Sequence, residues 1–74
     1  MCYDYSLLRG RIVEKFGNNY TFAYVMGMSE RSLSVKLNNK VKWNQPEMEK
    51  ACELLDLDLS EIPAYFFNYK VQSN

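Results

Sequence analysis

Apolar residues recur along the chain at helical rather than strand spacing. Leu8, Ile12 and Phe16 follow one another every four residues, which places them on one face of a helix. No alternation of apolar and polar residues typical of a strand extends over any length before the tail. The pattern therefore predicts an all-α fold.

Capping residues and helix terminators divide this pattern into five short helices. The predicted helices cover residues 4–16, 20–26, 30–38, 45–55 and 60–67. Each starts beside a side chain that can accept a hydrogen bond from the first turn, and these caps are Asp4, the Asn18-Asn19 pair, Ser29, Asn44 and Ser60. Asn44 and Glu47 have the spacing of a capping box, and Pro46 and Pro63 fall in first turns, where proline is tolerated. The predicted terminators are Gly17, Gly27 and Asn38-Asn39.

Length and composition indicate one folded domain with a small core. The chain has 74 residues, of which 47% are hydrophobic and 15% aromatic, a composition too apolar for a disordered protein. No run approaches the roughly 18 consecutive apolar residues of a membrane span, so no membrane partner is expected. The predicted core residues are Leu8, Ile12, Phe16, Phe22, Ala23, Met26, Leu33, Leu37, Trp43, Met48, Ala51, Cys52, Leu55 and Phe66.

The residue types present argue against catalysis and metal binding. The sequence contains no histidine, which removes the commonest general base and the commonest metal ligand. Its two cysteines, Cys2 and Cys52, do not make a zinc site alone, and Cys52 lies on an apolar stripe that predicts a buried thiol. The acidic residues between 47 and 58 lack the spacing of a calcium loop. We expect neither enzyme activity nor a cofactor.

Charge is distributed unevenly along a chain that has no net charge. Residues 1–43 hold seven basic and three acidic side chains, a net charge of +4, whereas residues 44–74 hold two basic and six acidic ones, a net charge of −4. The basic half favours a surface that faces a polyanion. The alternative is the uneven charge that small proteins often carry without functional meaning.

Residues 19–38 are the segment from which we predict function. Two predicted helices are separated by Gly27-Met28-Ser29, and Ala23 lies four residues before the glycine. Helices that cross steeply need a small residue where they meet, which Ala23 provides, and the tight turn needs the positive φ that Gly27 adopts at little cost. This spacing is typical of the helix-turn-helix, whose second helix enters the major groove of DNA.

One stretch resembles the motif of Cro/CI-type (lambda-repressor-like) phage regulators, namely Phe22-Ala23-Tyr24-Val25-Met26-Gly27-Met28-Ser29 followed by Leu33 and Leu37. A preceding helix, an Asn-Asn-Lys exit and two trailing helices extend the resemblance over most of the chain. It implies a compact five-helix DNA-binding domain over residues 1–67, acting as a sequence-specific phage or prophage repressor that occupies an operator. The implied partner is double-stranded DNA with a palindromic operator, bound by a homodimer at the nucleoid in the bacterial cytoplasm.

The geometry of the third helix predicts which residues would read bases. At about 100° per residue, Leu33 and Leu37 centre its buried face, and Arg31 and Val35 point nearly opposite. Arg31 is the first choice, because its guanidinium matches guanine O6 and N7, while Val35 either meets a thymine methyl or is an ordinary surface valine. Glu30 either accepts from a cytosine amine or stabilises the helix N-terminus. The predicted base contacts are Glu30, Arg31, Ser34 and Val35.

Phosphate contacts are predicted on either side of these residues. Asn19 opens the second helix, where its side chain or nearby N–H groups would hold a phosphate. Lys36, Lys40 and Lys42 are either phosphate contacts or ordinary solvated lysines. The full predicted set is Asn19, Ser29, Ser32, Lys36, Asn38, Lys40 and Lys42. Trp43 is expected to cap the core between the third and fourth helices, and stacking on DNA is its alternative role.

The last residues are unusually aromatic for a chain terminus. Within Tyr65-Phe66-Phe67-Asn68-Tyr69-Lys70-Val71, Phe66 is predicted to complete the core. The remainder exceeds what one small domain hides, so the tail of residues 68–74 is expected to form a dimer contact or a short strand.

In a second hypothesis, the turn at Gly27-Met28-Ser29 serves only to pack two helices against each other. In this alternative the chain is a small helical protein–protein interaction module, an antirepressor or accessory subunit, whose aromatic tail docks a partner. Such a module does not bind DNA. Retention on heparin or duplex DNA at low salt distinguishes the two hypotheses.

Overall fold

A computed structural model describes residues 2–69, which form five α-helices. These are α1 (Ser6–Phe16), α2 (Asn19–Met26), α3 (Glu30–Leu37), α4 (Gln45–Leu54) and α5 (Ile62–Phe66), with a 3-10 helix over Leu59–Glu61 directly before α5. The predicted all-α, five-helix fold is confirmed. Among these helices none is long and apolar enough to cross a membrane.

Three of the predicted caps are present with their hydrogen bonds. Asn18 Oδ1 accepts from the Thr21 N–H at 2.8 Å, and Ser29 Oγ accepts from the Ser32 N–H at 3.0 Å. Asn44 forms the predicted capping box with Glu47 at the start of α4. These bonds satisfy N–H groups that have no partner inside the helix, so they fix where α2, α3 and α4 begin.

Two of the predicted N-cap residues do not cap their helices. Asp4 Oδ1 accepts from the Ser6 N–H at 2.9 Å, but α1 begins at Ser6, one residue later than an Asp4 cap requires. Ser60 is not the cap of the last helix. A 3-10 turn starts before it, and the Asp58 N–H donates to Glu61 Oε2 at 2.8 Å. The Ser60 hydroxyl donates to the Asp58 carboxylate instead.

The core matches most of the predicted set. The buried hydrophobic side chains are Tyr5, Leu8, Ile12, Phe22, Ala23, Met26, Leu33, Leu37, Trp43, Ala51, Cys52, Leu55 and Phe66. Phe16 and Met48 pack against this core but are only partly buried, and Tyr5 was not predicted. Burial raises the pKa of the Cys52 thiol, as expected for a cysteine that serves as a small hydrophobic residue.

The turn between α2 and α3 has the predicted backbone. Gly27 lies in the left-handed region at φ 79° and ψ 26°, and the Met28 N–H donates to the Ala23 carbonyl at 3.0 Å. Ala23 is completely buried, and α2 packs against α3. The helix-turn-helix arrangement of residues 19–37 is therefore a feature of this fold.

The described part of the aromatic tail folds back onto the start of the same chain. Tyr3 and Tyr69 form an isolated antiparallel bridge, and the Asp4 N–H donates to the Asn68 carbonyl at 2.6 Å. The tail was predicted as a dimer contact or a short strand, and in residues 2–69 its extended pairing is limited to this bridge. Residues 70–74 of that prediction lie outside the described residues.

Candidate functional site

The predicted base-contacting residues lie along α3 and differ in exposure. Glu30 and Arg31 are exposed, while Ser34 and Val35 are half-buried. Glu30 occupies the first turn of α3, where a carboxylate interacts favourably with the helix dipole. Of the four residues, Glu30 and Arg31 are therefore the more accessible from solvent, and these positions do not test the roles toward bases that were assigned to them.

Several residues predicted to hold phosphate make hydrogen bonds within the protein. Ser29 accepts from the Ser32 N–H as the cap of α3 and also donates to the Ser32 hydroxyl at 3.0 Å. Asn38 Oδ1 accepts from the Arg9 guanidinium at 3.1 Å, and its amide donates to Ser34 at 3.3 Å. Asn19 is half-buried in the first turn of α2, behind the actual cap Asn18.

Lys36 requires a correction. It was predicted to face phosphate, but only 8% of the residue is exposed and its ammonium lies 3.1 Å from Glu47 Oε1. The same ammonium donates to the Lys42 carbonyl at 3.3 Å. Lys36 therefore ties α3 to the loop and to the first turn of α4. An ammonium held in this way cannot extend toward a phosphate.

Several basic side chains of residues 1–43 form ion pairs with carboxylates of the same chain. Lys15 pairs with Asp56, and Lys36 pairs with Glu47, so both join the basic half of the chain to the acidic half. Arg11 pairs with Glu14 at 2.6 Å within α1. The charge asymmetry of the sequence is thus partly cancelled inside the molecule.

Three more basic contacts are made with the carboxyl ends of helices. Arg9 donates to the Leu37 carbonyl of α3 at 3.1 Å. Arg11 donates to the Leu55 carbonyl after α4 at 2.9 Å. Lys50 donates to the Met26 carbonyl of α2 at 3.2 Å. Cations at these ends satisfy otherwise unpaired carbonyls and oppose the negative end of the helix dipole.

Few basic side chains are left for an outside partner. Of the seven in residues 1–43, only Arg31, Lys40 and Lys42 take part in no side-chain hydrogen bond or ion pair within residues 2–69. All three are exposed. A protein that makes about six to ten phosphate contacts needs more cations than the three that remain here.

Two exposed tyrosines form a feature that the sequence analysis did not single out. Tyr20 and Tyr24 lie four residues apart on α2, so they are neighbours on one face of that helix. Tyr20 is 66% exposed and Tyr24 is 78% exposed. Helical angle was the signal that could have found them, because the buried side of α2 is formed by Phe22, Ala23 and Met26. Exposed tyrosines are typical of protein-binding surfaces.

A cavity of about 140 Å³ opens on a different part of the surface. We call it the aromatic pocket; its apolar lining comes mainly from Tyr3, Tyr5, Val41, Trp43, Met48 and Phe67. Asn39 holds the N-terminal segment in place there: its Oδ1 accepts from the Tyr3 N–H at 2.8 Å, and its Nδ2 donates to the Tyr3 carbonyl at 2.9 Å. The indole of Trp43 packs edge-on against Phe66 with ring centres 5.1 Å apart.

The chain belongs to the family described as "Protein of unknown function (DUF739)", whose family model matches residues 1–69. It is also similar to a solved structure, the solution structure of the modulator of repression (MOR) of the temperate bacteriophage TP901-1 from Lactococcus lactis. The two chains are 54% identical, each is covered over 97% of its length, and the TM-score is 0.81. The comparison with curated proteins gave no match.

This likeness overturns the main functional hypothesis. The sequence predicted a DNA-binding repressor of the Cro/CI type, and that prediction is wrong, because the similar phage protein modulates repression. The findings favour the alternative, a helical interaction module. The physical reason for the error lies in residues 19–38: Ala23, Gly27 and Ser29 are required by the packing of two helices across a tight turn, whether or not DNA follows. The resemblance to Cro/CI-type regulators stays a prediction.

Proposed function

We propose that this member of the DUF739 family is a phage-type modulator of repression that binds a repressor protein and does not bind DNA. The observation that carries the proposal is the 54% identity, over 97% of both chains, to the modulator of repression of bacteriophage TP901-1. A likeness that extends over almost the whole of both chains supports carrying the role of that modulator over to this protein.

The internal use of the basic residues supports this proposal. Lys15 and Lys36 pair with carboxylates of the acidic half, and Arg9 and Lys50 are bound to helix ends. The electrostatic attraction that drives nonspecific binding to DNA depends on cations that can displace the counterions of phosphates. Each cation paired with a carboxylate of the same chain lowers that attraction, while a protein partner needs no such excess of positive charge.

We further propose that Tyr20 and Tyr24 belong to the surface that contacts the repressor. They offer a large, stiff, amphipathic area on α2, and such side chains lose little conformational entropy on binding. Neither tyrosine contributes to the core, so a change there affects binding without unfolding the protein.

The experiment is a titration of the repressor from the same phage or prophage with this protein and with the Tyr24→Ser variant. We expect the variant to bind at least about tenfold more weakly, as for a central aromatic contact. The matched control is Leu59→Ser, because Leu59 is also exposed, at 58%, but lies on the 3-10 helix beside α5. Full-strength binding by Tyr24→Ser would contradict the assigned surface, and no binding by the unaltered protein would contradict the function.

A further inference from the structure

We propose that the aromatic pocket binds a segment of the repressor that carries a large apolar side chain next to a carboxylate. This inference rests on the proposed function for the identity of the partner, and on the structure of the pocket for its chemistry. Three observations support it: the size of the cavity, an unused hydrogen-bond donor in its wall, and unpaired positive charge at its rim.

The size of the pocket matches one aromatic ring. An apolar cavity of about 150 Å³ inside a protein is known to hold benzene, and the aromatic pocket measures about 140 Å³. Its lining by Tyr3, Trp43 and Phe67 gives an entering ring aromatic partners. Tyr3 packs edge-on against Phe67 with ring centres 5.8 Å apart, so two rings of the lining already form an aromatic pair.

Trp43 supplies a donor that has no partner within residues 2–69. The residue is 9% exposed, and its Nε1 is the one fully buried side-chain nitrogen or oxygen there that makes no hydrogen bond. A buried donor without an acceptor costs about 1–3 kcal/mol, and native proteins rarely retain one without a reason. Trp43 lines the pocket but its Nε1 is closed off from solvent, so we infer that an entering ligand displaces part of the wall and brings an acceptor oxygen to this nitrogen, which would relieve the cost.

The rim of the pocket carries free positive charge. Lys42 lines the pocket, and its ammonium is in no ion pair of the described chain, unlike those of Lys15 and Lys36. Lys40 is also exposed, two residues away, and the side chain of Val41 between them is 46% exposed and lines the cavity. An apolar pocket with cationic and N–H donors is complementary to an apolar group that carries an anionic acceptor.

These properties identify the occupant as an acidic–apolar segment rather than a basic one. The indole N–H of Trp43 and the ammonium of Lys42 are both donors, so they do not hydrogen-bond to a cationic group, and the charge of Lys42 would repel it. The pocket's other amide, Asn39, is already bound to the backbone of Tyr3 through both of its polar atoms. A hydrogen-bond acceptor in the repressor segment would therefore pair with the donors of Trp43 and Lys42, which have no side-chain partner within the described residues.

The test uses the full chain and the probe 3-phenylpropionate, which joins one ring to one carboxylate. Trp43 is the only tryptophan, so its indole N–H gives a single, unambiguous resonance in a ¹⁵N-labelled sample. We expect 3-phenylpropionate to shift this resonance downfield in a saturable manner. The amine analogue 3-phenylpropylamine should bind at least about fivefold more weakly, and acetate, which lacks the ring, should leave the resonance unmoved.

Two variants provide the control. Lys42→Gln should weaken 3-phenylpropionate binding by about two- to fivefold, because a partly exposed ion pair contributes modestly. Lys40→Gln removes the same charge from a residue that does not line the pocket and should have a smaller effect. Both are exposed positions, so folding is retained. The proposed occupant of the aromatic pocket would be contradicted by an indole resonance that does not respond to 3-phenylpropionate, or that responds equally to the amine.

A competition experiment separates this inference from the proposed function. Repressor binding that 3-phenylpropionate weakens supports both. If the repressor binds but the probe neither shifts the indole nor competes, the pocket is wrong and the proposed function stands. If the probe shifts the indole but the repressor does not bind at all, the proposed function is wrong and the occupant must be reassigned. A concentration-dependent shift of the indole without any ligand would assign the pocket to a second copy of this chain and overturn the repressor segment as its occupant.

Discussion

Asn39 shows how one residue can serve both backbone geometry and tertiary structure. It adopts a left-handed backbone at φ 63°, which ends α3, and this orientation lets its side chain pair with both polar backbone atoms of Tyr3. Asparagine tolerates positive φ better than most residues. The N-terminal segment, and with it one wall of the aromatic pocket, is therefore held by a residue that also shapes a turn.

Substitution of Asn39 should separate these two roles. Asn39→Gly keeps the backbone freedom but removes two hydrogen bonds, so we expect the free energy of unfolding to fall by about 1–2 kcal/mol. Asn39→Ala should lose about 1 kcal/mol more, because alanine is strained at positive φ. Urea denaturation of both variants measures the difference. Equal stability of the alanine and glycine variants would show that the left-handed backbone is not a constraint at this position.

At the scale of elements, ion pairs and helix-end contacts join helices that are distant in sequence. Lys36 of α3 reaches Glu47 of α4, and Lys15 of α1 reaches Asp56 after α4. The sequence predicted the helices and most of their caps, because caps act over three or four residues. It did not predict these pairs, since they depend on how the helices are arranged, and Lys36 was consequently assigned to a DNA phosphate.

Lys36 should therefore behave as a structural residue. We expect Lys36→Met to lower the free energy of unfolding by about 1–2 kcal/mol, because it leaves the Glu47 carboxylate, 23% exposed, without its cation. Lys40→Met, at an exposed position, should change stability by less than about 0.5 kcal/mol. Adding Glu47→Gln to Lys36→Met should restore part of the loss in a double-mutant cycle. Equal effects of Lys36→Met and Lys40→Met would contradict the pairing.

The contact between α1 and the end of α4 should depend on pH. The hydrogen bond from Lys15 holds the pKa of Asp56 below its usual value of 3.8, with the nearby charge of Arg11 acting in the same direction. A carboxyl group whose pKa is lowered by folding stabilises the protein above its unfolded pKa, and that contribution is lost as the pH falls through the folded value.

The Asp56→Asn variant tests this dependence, because asparagine tolerates the positive φ of 56° at this position. Thermal unfolding should show the variant to be less stable than the unaltered protein at pH 7, and the gap should narrow as the pH falls below about 4. The Lys15→Gln variant should also be less stable than the unaltered protein at pH 7, and that difference in stability should shrink over the same range of pH. A gap that is independent of pH would show that Lys15 and Asp56 do not interact in solution.

At the scale of the whole molecule, sequence reasoning recovered the fold but not the function. Helical periodicity, Gly27 and the caps at Asn18 and Ser29 act locally, so they can be found without a structure. The turn motif, however, reports only that two helices pack across a tight bend, and that requirement is shared by proteins with unrelated partners. What the surface binds depends on which charges remain unpaired after folding. Lys36 is paired with Glu47 whereas the exposed Lys42 is in no ion pair of the described residues, and this difference is visible only in three dimensions.

The predicted homodimer stays a prediction. Tyr69 stacks on Tyr3 of the same chain with ring centres 5.0 Å apart, and Phe67 packs edge-on against Tyr3, so part of the aromatic tail is used internally. Phe67 and Tyr69 are nevertheless still 46% and 53% exposed. The exposed aromatic surface at this end of the molecule adjoins the aromatic pocket, and we assign it to the repressor rather than to a second copy.

The most direct test of the proposed function is a parallel titration of the labelled protein with its repressor and with operator duplex DNA, at about 50 mM salt, where nonspecific attraction to DNA is stronger than at 200 mM. We expect saturable binding to the repressor and no binding to the duplex, with the repressor bound at least about tenfold more weakly by Tyr24→Ser. Binding to the duplex with a steep dependence on salt, together with no interaction with the repressor, would contradict the proposed function.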